Sequence, residues 1–239
     1  MSDLKRMKEL IEILNKAGKA YYQENHEIIS NYEYDKLYDE LLALEKDTGT
    51  ILSNSPTIHV GYELMTALEK EDHPSPMLSL DKTKEPQQLA SWLGEKEGLL
   101  SWKLDGLTIV LTYENGDLVK AVTRGNGEVG EVVTNNAKVF VNIPRKIKYQ
   151  GTLVIRGEAV IPYSVFKKMN EEIENVDSQY KNPRNLCSGS VRQLNNEITA
   201  KRNVHFYGFS IGDVEDVDFH NSLEEKIQWA ENLGFDMVE

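Results

Sequence analysis

The chain has 239 residues, of which 40% are hydrophobic and 28% charged, and its formal net charge is −12. This composition is typical of a soluble globular protein with a full core, and no long apolar run predicts a membrane span. The N-terminus lacks the apolar centre of a signal peptide, and a single cysteine, Cys187, excludes an internal disulfide. We therefore expect a cytoplasmic protein. A chain this acidic should hold nucleic acid poorly unaided, because phosphate neutralisation supplies much of that affinity.

The first 48 residues predict two amphipathic helices. Apolar residues recur at three-to-four spacing over 4–23 and again over 32–46, and Ser30 or Asn31 is a suitable N-cap for the second helix. Prolines and glycines interrupt the pattern over 48–84, which indicates a connector. Within it, the apolar run at 77–80 fits either an edge strand or a packed loop.

Strand-like alternation dominates after residue 99. The runs 107–113 and 118–123 flank Asn115-Gly116, which predicts a hairpin. Further strands are predicted at 153–161 and 204–211, and helices at 162–175, 182–194 and 222–233. Clustered strands with interspersed helices, without strict alternation, predict an α+β fold.

One short motif, Lys103-Leu104-Asp105-Gly106, places an amine beside a carboxylate at the head of a strand. A free lysine is almost wholly protonated at neutral pH, so it becomes nucleophilic only when it is desolvated or lies near other cations. The tetrapeptide alone is equally consistent with a plain turn between strands.

Two strand-associated segments also carry candidate chemistry. Arg124 opens a loop with three glycines, which can bend closely around a phosphate or ribose, or can be a solvated hairpin loop. Glu158 interrupts an apolar strand, and an inward-facing carboxylate there would need a hydroxyl, a lysine or a metal as partner. Alternatively, Arg156 and Glu158 share the solvated face of an edge strand.

Two clusters of side chains on predicted helices also allow two interpretations each. Arg184 and Arg192, eight residues apart, could receive a nucleic-acid backbone or form surface ion pairs. Aromatic and acidic side chains near the first helix junction could hold a cationic ring or could simply pack together. This second cluster consists of Tyr21, Tyr22, Asn31, Tyr34 and Asp35.

In this order, the segments resemble the adenylation region of the bacterial NAD-dependent DNA ligases. The resemblance covers nearly the whole chain. Its motifs are Tyr34-Asp35, Ser55-Pro56-Thr57, Pro76-Met77-Leu78-Ser79-Leu80-Asp81, Lys103-Leu104-Asp105-Gly106, Thr123-Arg124-Gly125, Arg156-Gly157-Glu158, Asn182-Pro183-Arg184-Asn185, Arg192-Gln193-Leu194 and Ile198-Thr199-Ala200-Lys201-Arg202.

The resemblance implies a helical nicotinamide-recognition subdomain over 1–66. It also implies an antiparallel-sheet nucleotidyltransferase domain over 67–239, of the DNA ligase and mRNA capping enzyme type, incomplete at its C-terminus. Lys103 would attack NAD, keep AMP and release nicotinamide mononucleotide, and AMP would pass to a 5′-phosphate at nicked duplex DNA during replication and repair. Asp105 would orient Lys103, and Asp105 and Glu158 would bind Mg²⁺.

The same resemblance implies the remaining roles. Glu158 would contact the ribose and Arg124 the ribose or phosphates. Arg184 and Arg192 would face the DNA. The adenosine pocket would contain Ser79, Leu80, Ser101 and Phe209, and the nicotinamide pocket would contain Tyr21, Tyr22, Asn31, Tyr34 and Asp35. We expect a monomer whose DNA contacts come mainly from missing downstream domains, so the chain alone should not seal nicks.

The chain also departs from the family pattern. Ser101 replaces a glutamate, Asn31 replaces an aspartate of the nicotinamide pocket, and Phe209 replaces a tyrosine. Asn126 and Val132 stand where the family usually has aspartates. Two other functions therefore stay open: a diverged nucleotide-binding paralogue without ligase activity, and, less in keeping with the N-terminal tyrosines, an ATP-dependent ligase or RNA-capping enzyme.

Overall fold

The computed structural model describes residues 3–22, 27–48, 51–52, 55–57, 68–173, 179–212 and 214–239. The helices are α1 (Asp3–Tyr22), α2 (Asn31–Thr48), α3 (Pro86–Leu93), α4 (Thr134–Ala137), α5 (Tyr163–Glu171), α6 (Pro183–Val191), α7 (Asn196–Ala200) and α8 (Leu223–Asn232). The strands are β1 (Lys70–Asp72), β2 (Leu107–Glu114), β3 (Asp117–Thr123), β4 (Val129–Glu131), β5 (Leu153–Val160) and β6 (His205–Ile211). The predicted α+β fold, with a helical region followed by an antiparallel-sheet domain, is confirmed.

Helices α1 and α2 pack against each other through a small core of their own. The buried side chains are Met7, Leu10, Ile11, Leu14 and Leu41. Ser30 starts α2 as a capping box, since its hydroxyl accepts from the Glu33 amide at 3.2 Å and the Glu33 carboxylate accepts from the Ser30 amide at 3.0 Å. This confirms the predicted N-cap.

An antiparallel sheet in the order β3-β2-β5-β6 forms the second domain. The β2–β3 hairpin turns at Asn115 and Gly116, whose φ angles of 51° and 83° are those of a type I′ turn. One face is buried, because alternate residues of β2 and β5 point inward against the helices. These residues include Ile109, Leu111, Tyr113, Leu153 and Ile155.

Several predicted features differ in the structure. Predicted helix 162–175 ends at Glu171, with Glu172 as its C-cap, although Ile173 continues the apolar spacing, and residues 174–178 lie outside the described part. The apolar run at 77–80 is a loop, in which Met77 is buried while Leu78 and Leu80 are about four-fifths exposed. Two features were not predicted: helix α3, in which no residue is fully buried, and a two-stranded sheet formed by β1 and β4.

None of the helices among the described residues is both long enough and apolar enough to cross a membrane.

Candidate functional site

The site begins where β2 and β5 lie side by side. Thr108 pairs with Glu158 across the two strands, and Lys103 and Asp105 lie just before β2. Glycine is required at position 106, between Asp105 and the start of β2, because a Cβ there would lie 2.0 Å from the Ala159 carbonyl oxygen. The close approach of the two backbones brings the Lys-x-Asp-Gly motif directly next to Glu158.

Glu158 is buried and holds the start of β2. One carboxylate oxygen accepts from the Gly106 amide at 3.0 Å and the other from the Thr108 hydroxyl at 2.8 Å. Burial raises the pKa of Glu158, and these hydrogen bonds, with the positive charges of Arg184 and Lys103, oppose that shift. The Thr108 hydroxyl is therefore the partner that the sequence predicted an inward-facing Glu158 would need. The edge-strand alternative is wrong, because β5 lies between β2 and β6.

Arg184 joins the two domains at this point. Its guanidinium donates to Asp105 Oδ1 at 2.6 Å and lies 5.5 Å from the centre of the Tyr21 ring. Asn182 caps α6 through the Asn185 amide, and its Nδ2 donates to the Tyr21 hydroxyl at 3.3 Å. The N-terminal end of α6 therefore contacts both Tyr21 of α1 and Asp105, which lies two residues after Lys103.

A cavity of about 270 Å³ lies at the same junction. Four of the five residues predicted for the nicotinamide pocket line it, together with Asp105 and Arg184. The side chain of Tyr22 lies outside the described residues. The structure thus brings the helical cluster and Asp105 of the Lys-x-Asp-Gly motif to one space. The lining residues are Ala17, Gly18, Tyr21, Glu27, Ile29, Asn31, Tyr34, Asp35, Asp105 and Arg184.

Arg124, on the loop between β3 and β4, and Ser79, on the loop that follows β1, form a separate platform. The Arg124 guanidinium donates to the Met77 carbonyl at 3.1 and 3.2 Å and to Ser79 Oγ at 3.2 Å. The Met77 amide in turn donates to the Gly127 carbonyl at 2.8 Å. The predicted ribose-contacting arginine and one predicted adenosine-pocket residue are therefore in direct contact.

His73, which sequence reasoning missed, fixes this platform to the sheet. Its Nε2 lies 3.1 Å from the carbonyl oxygens of both Thr123 and Arg124, and its amide donates to the Glu128 carbonyl at 2.7 Å. Since both oxygens can only accept, Nε2 must carry the hydrogen. The signal that could have found it is a histidine four residues before the Met77-Leu78-Ser79-Leu80 run.

The other predicted adenosine-pocket residues are not enclosed. Leu80 and Ser101 are exposed, as is Lys103. Phe209 is 41% exposed and is the extra residue of a bulge in β6, because Gly157 pairs with Gly208 while Arg156 pairs with Ser210. The bulge turns Phe209 out of the regular alternation of the strand.

The prediction that Arg192 faces DNA is wrong in this structure. Arg192 follows α6 as its C-cap, its side chain is only 3% exposed, and its Nε lies 2.7 Å from Oε2 of the buried Glu131. The pair binds the end of α6 to β4, so the guanidinium points into the protein. Arg184, with 27% of its side chain exposed, lies at the surface of the cavity, where it is paired with Asp105.

Within the described part of the chain, no group of three or more metal-ligating side chains is present. Asp105 and Glu158 are two carboxylates at one end of the sheet. This donor set fits Mg²⁺, which prefers hard oxygen ligands and keeps several waters when only one or two carboxylates bind it.

A helical region followed by an antiparallel-sheet domain with this strand order is consistent with an adenylation nucleotidyltransferase domain. Residues 65–239 match the model of the NAD-dependent DNA ligase adenylation domain. Residues 1–61 match that of the DNA ligase-like, N-terminal NAD⁺-binding domain. The chain belongs to the NAD-dependent DNA ligase family.

Curated relatives support this membership. The chain is 65% identical over 233 residues to a DNA ligase of Ruminiclostridium cellulolyticum, and 62% identical over 234 residues to one of Lachnoclostridium phytofermentans. It is 40% identical over 240 residues to a DNA ligase of Helicobacter pylori. These alignments cover 97–98% of this chain but 36% of each relative, so the chain spans about a third of their length.

Proposed function

We propose that this chain is the part of an NAD-dependent DNA ligase that transfers AMP from NAD to its own Lys103. The observation that carries the proposal is the shared cavity. Aromatic and acidic side chains of the helical region meet Arg184 and Asp105 there, and Asp105 lies two residues along the chain from Lys103. A dinucleotide with its nicotinamide half in this cavity would present its bridging phosphates toward Lys103.

In the proposed reaction, the Lys103 amine forms a bond to the α-phosphorus of NAD. The bond from that phosphorus to the oxygen of nicotinamide mononucleotide breaks, and the mononucleotide leaves with its own phosphate. The lysine loses a proton, and AMP remains on the nitrogen as a phosphoramidate. Bound NAD would also cover Lys103, which is exposed here, and so exclude water from the space between the amine and the α-phosphorus.

The neighbouring residues have matching roles in the proposal. Asp105, held by Arg184, would orient Lys103, and Glu158 would reach the ribose hydroxyls. Arg124 would bind the ribose or phosphates beside Ser79. Leu80, Ser101 and Phe209 would close over adenosine. Residues 1–66 would act as the nicotinamide-recognition subdomain, and 67–239 as the nucleotidyltransferase domain.

Asp105 and Glu158 would hold Mg²⁺ in the proposed function. When bound, the ion would neutralise negative charge that develops on the phosphates. Transfer of AMP to nicked DNA, and sealing of the nick, are proposed for the whole ligase. Because Arg192 is buried, only Arg184 of the two predicted arginines is proposed to face the DNA.

Labelled NAD tests the proposal directly. With radioactive phosphorus in the AMP half, the chain should retain the label after denaturation; with the label in the nicotinamide half, it should not. The competing function, a diverged paralogue that only binds nucleotides, is favoured by Ser101 and Asn31. That paralogue would bind NAD and retain neither label.

Replacing His73 by leucine should weaken AMP binding by about 5- to 10-fold, because a lost hydrogen bond costs about 1 kcal/mol and the Arg124–Ser79 platform would loosen. His73→Gln is the matched control, since its amide nitrogen can donate from nearly the same position as Nε2. Calorimetric titration with AMP should show near-normal affinity for this variant. Equal losses in both variants, without a change in Tm, would contradict the role of the Nε2 hydrogen.

Replacing Asn31 by aspartate should tighten NAD binding several-fold, because it adds a carboxylate to the wall of the cavity. AMP, which lacks the cationic ring, should bind unchanged. Calorimetric titration of both ligands into both proteins measures the effect. An equal change for NAD and AMP would show that residue 31 does not face the nicotinamide.

A further inference from the structure

Glu27 lies on the wall of the cavity although no motif predicted a role for it. It precedes α2 by four residues, and Asn31 and Asp35 follow at intervals of four. All three residues line the same space, together with the aromatic rings of Tyr21 and Tyr34. The carboxamide of Asn31 supplies no charge to this wall, whereas Glu27 on one side and Asp35 on the other do.

The charges around the cavity do not cancel. Of the residues that the structure describes, three carboxylates and one guanidinium line it, and Arg184 is engaged by Asp105 at 2.6 Å. Among the described residues, neither Glu27 nor Asp35 lies within ion-pair distance of a cation. The side of the cavity formed by the helical region is therefore negative, and it suits a cationic ligand that can also stack on tyrosine.

Glu27 is the better shielded of the two carboxylates. It is half-buried, while Asp35 is exposed on α2. Attraction between charges is screened strongly in water and much less at partly buried sites. The charge of Glu27 should consequently act on a ligand in the cavity more strongly than that of Asp35.

We propose that Glu27 selects the positively charged nicotinamide ring of NAD and takes over the charge that Asn31 lacks. The inference rests on the proposed function, because it assumes that the nicotinamide half occupies this cavity. Glu27 acts on the ground-state binding of the ring and takes no part in the transfer of AMP. The side chain thereby sets a preference for oxidised NAD over NADH, whose ring is nearly the same size but neutral.

The test compares Glu27→Gln with the unaltered chain by titration with NAD, NADH and AMP. The variant should bind NAD roughly tenfold more weakly, by the loss of one partly screened charge interaction, and should bind NADH and AMP as before. Glu12→Gln, which removes the same charge from an exposed position of α1 outside the cavity, should leave all three affinities unchanged. Glu27→Gln with Asn31→Asp should restore part of the preference for NAD.

The failures can be distinguished. Equal weakening of NAD and NADH, or no weakening of either, would overturn the role of Glu27 and leave the nicotinamide pocket in place. A chain that binds AMP but not NAD would refute the proposed function itself, and the role of Glu27 with it. Tm values for each variant exclude loss of folding as the cause.

Discussion

Replacing Lys103 by alanine is expected to abolish every detectable AMP adduct after incubation with NAD and Mg²⁺. Lys103 is the lysine of the Lys-x-Asp-Gly motif at the head of β2, beside Asp105 and Glu158. Lys103→Arg is the matched control, because arginine keeps the positive charge but stays protonated and cannot act as the nucleophile. Both variants should fold with an unchanged Tm, since the side chain is exposed.

Peptide mapping by mass spectrometry measures this outcome. Unaltered protein should carry AMP on the peptide that contains Lys103, and both variants should carry none. An adduct of equal yield in Lys103→Ala, on any other lysine, would contradict the assignment.

Replacing Arg192 by methionine is expected to destabilise the folded state by about 3–5 kcal/mol, since removal of one partner leaves a buried charge uncompensated. The remaining charge is that of Glu131, which is fully buried. Replacing both partners, Glu131→Gln with Arg192→Met, should recover much of the loss, because no uncompensated charge then stays inside.

Chemical denaturation of the unaltered chain and of both variants measures the free energies of unfolding. If Arg192→Met costs less than about 1 kcal/mol, which is the range of an exposed ion pair, the guanidinium is not buried in solution. In that case the sequence-based assignment of Arg192 to the DNA-facing surface would be supported.

Local patterns predicted the sheet domain well. The Asn115-Gly116 turn identified the β2–β3 hairpin, because both positions need positive φ angles and few residue pairs tolerate them. The interruption of an apolar strand by Glu158 made it a candidate buried carboxylate, but the sequence left its partner and the edge-strand alternative open. The structure identifies the Thr108 hydroxyl as a partner. The turn and the interruption depend on neighbours along the chain or on the period of one strand, so the sequence contains them directly.

Long-range contacts were the part that sequence could not supply. Arg192 shares a helical period with Arg184, but its environment depends on Glu131 in β4, a three-residue strand too short to give a pattern. Helix α3 has apolar residues at helical spacing, Leu89, Trp92 and Leu93, but it is only eight residues long, which is too short for the period to stand out in the sequence. Glu27 and His73 lie in irregular segments, where only the fold shows what a polar side chain faces.

The most direct test of the account is the intact mass of the chain after separate incubations with NAD and with ATP, each with Mg²⁺. The proposed nicotinamide cavity, with Asp105 on its wall two residues after Lys103, predicts one AMP per chain with NAD, equimolar release of nicotinamide mononucleotide, and no adduct with ATP. Lys103→Ala should show no gain of mass with either nucleotide. An adduct formed from ATP, or NAD binding without any gain of mass, would contradict the account.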